Sequence, residues 1–278
     1  MKRKVKLRYL ILSLLLSVSP GLYAVKQVYT FAIVPQQSAS KMAKLWTPIL
    51  NHINQQTGLD VQFKTAKDIP TFEQRLSEGE YDFAYMNPYH FTVFNQSPGY
   101  QAVAKARDKK IKGILVVRKD SPIQSIQELN NMTLAFPAPA AFAASILPRS
   151  ELSGIGNTYE ARYVSSHDSV YRTVAKGLYP AGGGVMRTFN NVSPDIRDQL
   201  KVLWTTEGFT PHAIASHPDI PTEVLLLFQS ALVAMEQSEE GQQLLKNIKI
   251  KGFETAKNED WDDVRALRID LLTDLVRK

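Results

Sequence analysis

Short apolar segments rich in β-branched residues alternate with amphipathic segments along most of the chain. Apolar residues at helical spacing run from Met42 to Ile53, between a serine cap at Ser38 or Ser40 and the helix-ending Gly58. The alternation predicts strands at 28–34, 61–63, 81–85, 111–117, 133–136, 161–164, 181–185 and 201–204. Helices are expected between them, and three more amphipathic helices close the chain. This order is typical of an α/β fold with mixed, largely parallel sheets.

Two polar, turn-rich segments, near 118–122 and near 205–210, divide this alternation. The pattern restarts after the first of them, so residues 118–207 are interpreted as an inserted second lobe. The first lobe is then discontinuous and consists of residues 25–117 and 208–278. Two lobes joined by two crossings predict a hinge with a ligand cleft between the lobes.

Residues 1–24 show the order of regions found in a signal peptide: basic residues, an apolar run at 9–18, and Ala24 at the predicted cleavage site. We expect export and cleavage after Ala24, with an uncleaved N-terminal anchor as the alternative. The apolar run is shorter than the ~18 residues that a membrane helix needs. The mature protein is therefore predicted to be soluble and periplasmic.

The predicted signal segment carries most of the excess positive charge. The full chain has 33 Lys and Arg against 27 Asp and Glu, but residues 1–24 hold five of the basic residues and none of the acids. The remainder has 28 basic and 27 acidic residues, a net charge of +1, which gives no support for nucleic-acid binding. The absence of cysteine from the sequence excludes disulfides, thiolate metal ligands, a thiol nucleophile and a lipid-modified N-terminal cysteine.

Several strand-to-helix junctions carry side chains or bare backbone suited to binding. In an open α/β sheet, ligands bind beyond the carboxyl ends of the strands, where such junctions meet. The candidate ligand-binding residues are Tyr85, Asn87, Tyr89, Ala138, Ala140, Ala141, Ser166, His167, Asp168, Gly183 and Arg187.

The cluster at 166–168 has both a structural and a functional interpretation. Ser166 is suited to be a helix N-cap, and Asp168 complements the helix dipole in the first turn. A cap does not need His167, which is therefore the more specific candidate for a hydrogen bond to a ligand. A catalytic triad is not expected here, because adjacent side chains on one helix diverge by about 100°.

Structural alternatives also stay open at the other junctions. Tyr85 is equally suited to be the last core residue of its strand, the segment around Gly183 to be a plain turn, and Arg187 to be a solvated surface charge. The five histidines lack the spacing of a helical metal site. No metal and no cofactor is therefore expected.

A set of short segments spans nearly all of the chain beyond the signal segment: Ala32-Ile33-Val34-Pro35, Trp46-Thr47-Pro48, Tyr81-Asp82-Phe83-Ala84-Tyr85, Lys112-Gly113, Asp120-Ser121-Pro122 and Ser166-His167-Asp168-Ser169-Val170. In this order the set resembles the phosphate/phosphite/phosphonate substrate-binding protein family of ABC transporters. The resemblance implies a two-lobe periplasmic binding protein. Such a protein captures a small ligand by lobe closure and delivers it to a membrane permease, and it is not an enzyme.

One loop departs from the family pattern. Phosphonate binders of the family carry Ser or Thr hydroxyls at a helix start after the fourth-strand proline, where this chain has Pro139, Ala140 and Ala141. Backbone N–H groups at a helix start still bind anions, although Pro139 contributes none. We therefore expect simple phosphonates and inorganic phosphate to bind weakly, and the ligand to be less charged or partly apolar.

Two other functions stay open at this point. A sensory module of the same fold would dock its closed form on a membrane histidine kinase instead of a permease. An exported hydrolase is the other alternative, although the sequence has no G-x-S-x-G elbow and no visible nucleophile–base pair. The protein is expected to be a monomer.

Overall fold

The computed structural model describes residues 27–276, so the predicted signal segment and its cleavage after Ala24 lie outside the described residues. Two β-sheets, each with helices packed against it, form two lobes. Within residues 27–276, no helix is both long enough and apolar enough to cross a bilayer.

The described strands are, in chain order, β1 (Val28–Ile33), β2 (Asp60–Lys64), β3 (Phe83–Met86), β4 (Gln101–Ala106), β5 (Gly113–Arg118), β6 (Met132–Phe136), β7 (Tyr159–Tyr163), β8 (Ala181–Val185), β9 (Leu200–Thr205), β10 (Ala213–Ser216) and β11 (Phe253–Thr255). The α-helices are α1 (Ala39–Thr57), α2 (Ile69–Ser77), α3 (Pro88–Phe94), α4 (Leu147–Gly154), α5 (His167–Ala175), α6 (Met186–Asn191), α7 (Pro194–Arg197), α8 (Thr222–Ala234), α9 (Glu239–Asn247), α10 (Asp262–Arg265) and α11 (Thr273–Val276). A π-helical turn, Phe142–Ile146, runs directly into α4.

Both sheets are mixed. The first lobe has the strand order β11-β4-β10-β3-β1-β2, and the second has β7-β6-β8-β5-β9. Parallel pairing joins β1 to β2 and β3 in the first sheet, and β6 to β7 and β8 in the second. The remaining strand pairs are antiparallel.

Strand β5 corrects the predicted lobe boundary at residue 117. It pairs with β8 and β9, so it belongs to the second lobe, and the first connection between the sheets is 107–112 instead of 118–122. Ile114 and Val116 pack towards α5, while Leu115 and Val117 pack towards the opposite face. A strand covered on both faces reads as a continuous apolar run, which does not reveal the sheet it joins.

The second connection between the sheets is 206–212. It runs beside the first connection and pairs with it through Ile111 and Phe209. The Ile111 N–H donates to the Phe209 carbonyl at 2.8 Å, and the Phe209 N–H donates back at 3.0 Å. The two chain crossings therefore form one narrow hydrogen-bonded bridge between the lobes.

Local sequence signals account for several of the helix ends. Gly58 ends α1 with φ at 74°, a left-handed conformation that glycine adopts without strain. Asn87 caps α3, with its Oδ1 accepting from the His90 N–H at 2.7 Å and Pro88 in the first helical position. Ser166 caps α5 by accepting from the Ser169 N–H at 3.1 Å.

The elements that the sequence pattern does not predict are short. Strands β4, β10 and β11 are absent from the expected series because three to six residues, many of them alanine, carry little recognisable alternation. The helix expected between the strands at 133–136 and 161–164 begins as the π-helical turn and extends to the end of α4. Of the three closing helices, α8 and α9 form, and the third is broken into α10 and α11.

The largest apolar cluster crosses from the first lobe into the second. It includes Phe31 and Trp46 in the first lobe and continues through Phe142 and Val185 in the second. Phe142 meets Phe209 of the second connection edge to face, with ring centroids 5.5 Å apart. The lobes are therefore in direct apolar contact beside the bridge.

Candidate functional site

The loop after β1 makes the main polar link between the lobes. Gln36 lies at the carboxyl end of that strand, and its carbonyl accepts from the N–H of His167, the first residue of α5, at 3.1 Å. The Gln36 side chain donates from Nε2 to Nε2 of His212 at 3.0 Å, and its Oε1 accepts from Nη2 of Arg187. One buried glutamine thus joins two residues of the second lobe to the end of the second connection.

A second link lies next to the first. Gln37 Nε2 donates to Oδ1 of Asp168 at 3.1 Å, and Lys41 Nζ lies 3.9 Å from Oδ2 of the same carboxylate. Lys41 also donates to the backbone carbonyl of Asn191. Asp168 therefore holds the start of α5 against the first lobe.

Asn87 connects the lobes on the other side of this junction. While its Oδ1 caps α3, its Nδ2 donates to the carbonyl of Ala140 at 3.1 Å. Ala140 and Ala141 precede the π-helical turn that opens the longer helix 142–154. Asn87 therefore links the start of α3 in the first lobe to the start of this helix in the second.

Tyr85 and His212 form a stacked pair beneath the junction. Their rings lie 4.8 Å apart at an interplanar angle of 15°, and Trp46 packs on the other side of Tyr85, also at 4.8 Å. Burial raises the pKa of Tyr85, with the nearby Arg187 charge acting in the opposite direction. The phenol is therefore neutral at physiological pH.

Two cavities adjoin at this place. The junction cavity, of about 10 Å³, is lined by Gln36, Asn87, Ala141, Phe142, His167 and His212, among others, and has room for about one water. The basic cavity, of about 190 Å³, is lined by Tyr85, Lys109, Lys110, Lys112, Arg187 and His212, with an apolar remainder. His212 borders both.

The two histidines of the site are uncharged. Burial, assisted by the Arg187 charge, lowers the pKa of His167 to about 3. The same two causes, in the same order, hold the pKa of His212 well below its ordinary value. Neutral imidazoles offer one donor and one acceptor each, so they serve the site as hydrogen-bonding groups.

The positive charge of the site resides on Arg187 and the lysines. Burial lowers the pKa of Lys109 to about 8, and Arg187 adds to the effect. Across residues 27–276, no carboxylate lies within ion-pair distance of Lys109, Lys112 or Arg187, while Lys110 Nζ lies 3.6 Å from Asp263 Oδ2. Lys109 and Arg187 are partly buried and have no carboxylate partner within residues 27–276, which suits them to an anion.

Residues 31–261 match the sequence family described as the periplasmic substrate-binding protein of ABC phosphonate transporters. The chain belongs to this family. Members of the family are binding proteins that capture a small ligand and deliver it to the permease of an ABC transporter, and this does not favour the sensory alternative.

Individual relatives agree with the family assignment. The phosphate-import protein PhnD of Mycolicibacterium smegmatis is 20% identical over 225 residues, which cover 72% of this chain and 69% of that protein. The solved structure of PhnD1 from Prochlorococcus marinus in complex with methylphosphonate superposes with a TM-score of 0.79 at 16% identity, covering 86% of this chain and 96% of that one. A binding protein component of an ABC phosphonate transporter from Pseudomonas aeruginosa also gives 0.79, at 17% identity, covering 87% and 86%.

The candidate residues of this binding protein divide into two groups. Tyr85 and Arg187 line the basic cavity, and Asn87, Ala141 and His167 line the junction cavity. The others border neither cavity: Tyr89, Ala138, Ala140, Ser166, Asp168 and Gly183. Of these, Ala140 and Asp168 accept hydrogen bonds across the lobes, and Ser166 caps α5.

Gly183 and Tyr89 contact other parts of the protein and line neither cavity. Gly183 is in the middle of β8, where an added Cβ would lie 1.9 Å from the Ala144 carbonyl oxygen and 2.7 Å from the Phe136 ring. Its backbone therefore approaches the π-helical turn instead of the space between the lobes. The Tyr89 hydroxyl accepts from the N–H groups of Leu271 and Leu272, at 2.8 and 3.0 Å, and so holds the C-terminal segment.

Several residues of the two cavities are absent from the sequence-based set. Gln36 follows the carboxyl end of β1, so the rule that selected Tyr85 and His167 would also have selected it. His212 precedes the unpredicted strand β10, whose antiparallel direction places its start beside the carboxyl end of β3. Lys109 and Lys112 lie in the connection whose position the pattern misplaced.

Proposed function

We propose that this binding protein captures a phosphorus oxyanion in the basic cavity, with the oxyanion at Arg187. The observation that carries the proposal is the Arg187 guanidinium, which reaches Gln36 across the lobes and has no carboxylate partner within residues 27–276. A guanidinium makes charge-assisted, forked hydrogen bonds to phosphoryl oxygens. The names of the related phosphate-import protein and of the methylphosphonate complex support the same ligand class.

The proposed contacts come from both lobes. Tyr85 and His212 belong to the first-lobe side, and Arg187 follows β8 of the second lobe. A ligand held by groups of both lobes stabilises the closed state, and closure rather than catalysis is the mechanism. His167, Asn87 and Ala141 would line the neighbouring junction cavity and keep the lobes together there.

This proposal revises the expectation of a less charged ligand. The helix start at Ala140 and Ala141 packs against Asn87 and leaves a cavity of about 10 Å³, too small for a phosphonate. Anion recognition would therefore depend on Arg187 instead of on the hydroxyls that this loop lacks. The hydrogen-bond donors to the anion would therefore differ from those of the family, while the ligand class would be the same.

We further infer that the lobes rotate about the paired connections 107–112 and 206–212. Residues 27–106 and 213–276 would then move as one body and 113–205 as the other. The exported, monomeric chain would present its closed form to the permease in the periplasm, after removal of residues 1–24. X-ray scattering tests the motion, since methylphosphonate should reduce the radius of gyration as it raises the melting temperature.

Titration calorimetry tests the ligand class. We expect phosphate, phosphite or methylphosphonate to bind with a micromolar or lower dissociation constant. Arg187→Gln should weaken that binding about 10- to 100-fold, because a charge-assisted hydrogen bond contributes roughly 1.5–3 kcal/mol. Arg172→Gln on the exposed face of α5 is the matched control and should leave the affinity unchanged. Absence of binding for all three anions, or equal effects of the two substitutions, would overturn the proposal.

A further inference from the structure

The first connection between the lobes carries a run of basic residues that the capture of a simple oxyanion does not use. Lys109, Lys110 and Lys112 lie in 107–112, and all three line the basic cavity together with Arg187. Arg187 comes from the far side, at the start of α6, directly after β8. The cavity thus has cationic groups contributed by two separate segments.

Protein partners account for only part of this charge. Lys109 Nζ donates to the backbone carbonyl of Lys249 at 2.6 Å, and Lys110 Nζ lies 3.6 Å from Asp263 Oδ2. No carboxylate of residues 27–276 pairs with Lys109 or Lys112. A half-buried ammonium group without a counter-charge is unfavourable, so a bound anion would relieve the cost that lowers the pKa of Lys109.

The size of the basic cavity also exceeds what a simple oxyanion fills. A cavity of roughly 150 Å³ encloses benzene, with six non-hydrogen atoms, so 190 Å³ suits a ligand of roughly eight. Methylphosphonate has five. The walls between the cationic groups include Ile111, Met186, Pro211 and Ile250, which suit a short hydrocarbon chain.

We propose that the lysine side of the basic cavity binds a second anionic group of the ligand. The preferred substrate would then be a small phosphonate or phosphate ester whose short chain ends in a carboxylate or another anion. Aminoalkyl phosphonates would be rejected, because their ammonium group would enter a cavity that already holds uncompensated positive charge. This inference rests on the proposed capture of a phosphorus oxyanion at Arg187.

A series of probes of similar size tests the inference by titration calorimetry. The probes are 2-carboxyethylphosphonate, butylphosphonate and 3-aminopropylphosphonate, with methylphosphonate as the reference. We expect 2-carboxyethylphosphonate to bind at least tenfold tighter than butylphosphonate, and 3-aminopropylphosphonate to bind more weakly than both. Equal affinities, or a preference for the amine, would overturn the inference while leaving the proposed function in place.

Substitutions then locate the second anion. Lys109→Gln and Lys112→Gln should each reduce the affinity for 2-carboxyethylphosphonate by about tenfold, and that for methylphosphonate by much less. Lys119→Gln removes the same charge from an exposed loop beyond β5 and is the matched control. Equal losses in all three variants would indicate a general charge effect and overturn the assignment to these lysines.

Glutarate separates the two proposals, since it carries two carboxylates and no phosphorus. Binding of glutarate without any phosphonate would retain an anion-binding basic cavity and overturn the phosphorus oxyanion. Binding of neither class would overturn both. Binding of methylphosphonate with no gain from the carboxylate would overturn the second-anion site alone.

Discussion

The junction cavity and the basic cavity share His212 but are built on opposite principles. Around the junction cavity, polar groups satisfy one another across the lobes: Gln36 bonds His167, His212 and Arg187, and Asn87 bonds Ala140. Around the basic cavity, cationic groups from two segments have few partners in the described chain. The first arrangement closes the molecule, and the second provides the net charge that a ligand has to balance.

The difference separates closure from selectivity. Hydrogen bonds between protein groups of the two lobes favour one lobe arrangement whatever the ligand is, because their geometry is internal to the protein. Uncompensated charge favours only ligands of the opposite sign. Changes to the junction cavity should therefore alter stability and lobe position, and changes to the basic cavity should alter the choice of ligand.

The largest effect is expected from adding a side chain at Gly183, where no room exists for one. In Gly183→Ala, the new Cβ would displace the Ala144 carbonyl, which belongs to the wall of the junction cavity. Because backbone on one side and the Phe136 ring on the other leave no room, the free energy of unfolding should fall by about 3 kcal/mol. Urea unfolding measures this loss.

Gly154→Ala is the control for that experiment. No heavy atom lies within 4 Å of a Cβ built at Gly154, and its φ is not positive, so the free energy of unfolding should change by less than about 0.5 kcal/mol. If Gly183→Ala were equally well tolerated, β8 and the π-helical turn would be able to move apart without loss of stability. A role for Gly183 in approaching a ligand would then regain support.

Gln36→Ala tests the closing function of the junction. The substitution removes the side-chain bonds to His212 and Arg187 but keeps the backbone bond to His167. We expect the free energy of unfolding to fall by about 1–3 kcal/mol, because buried groups lose their partners. The radius of gyration of the ligand-free protein should also increase, as seen by X-ray scattering.

Gln37→Ala provides the graded comparison, since it removes a single bond to the partly exposed Asp168. Its effect on unfolding should stay near or below about 1 kcal/mol. Equal effects for the two glutamines would contradict the idea that Gln36 organises the junction.

The smallest expected effect is the uptake of a fraction of a proton when the ligand binds. The pKa of Lys109 is about 8 because burial, and secondarily Arg187, disfavour its charged form. A bound dianion would raise this pKa, so binding near pH 8 should take up a fraction of a proton, and the affinity should fall as pH rises above 8. Calorimetry in two buffers of different ionisation enthalpy measures the uptake.

Three other titratable groups of the site, His167, His212 and Tyr85, do not change charge near pH 8. The pKa of His167 is about 3, that of His212 is well below its ordinary value, and that of Tyr85 is raised. Lys109→Gln should abolish the proton uptake. Persistence of the uptake in that variant would assign it to another group, and would weaken the view that Lys109 faces the ligand.

The same shift has a consequence for stability in the absence of a ligand. Between pH 8 and the ordinary lysine value of 10.5, the unfolded chain binds more protons at Lys109 than the folded chain does. Lys109 therefore increases the free energy of unfolding, and so stabilises the fold, as pH rises through this window. For His167, the corresponding gain lies between about pH 3 and 6.5.

Local sequence determined the longer elements and several helix ends. Apolar spacing, the side-chain caps at Asn87 and Ser166, and the left-handed stop at Gly58 act over three or four residues, so they can be recognised without knowing the fold. The same local rules placed Tyr85, Asn87, His167 and Arg187 at strand-to-helix junctions. The family resemblance drew on these same segments.

Tertiary structure alone decided which of those junctions face one another and what fills them. The apolar sequence of β5 is compatible with either sheet. Its observed pairing with β8 and β9 means that the first connection between the lobes is 107–112, which carries the lysines. Gly183, a candidate for ligand approach, instead lies against the Ala144 carbonyl of the π-helical turn and the Phe136 ring. Whether a lysine or arginine is a solvated surface charge or an unpaired cation in a cavity depends on which distant acids come near it. That long-range contact is not encoded in any single segment.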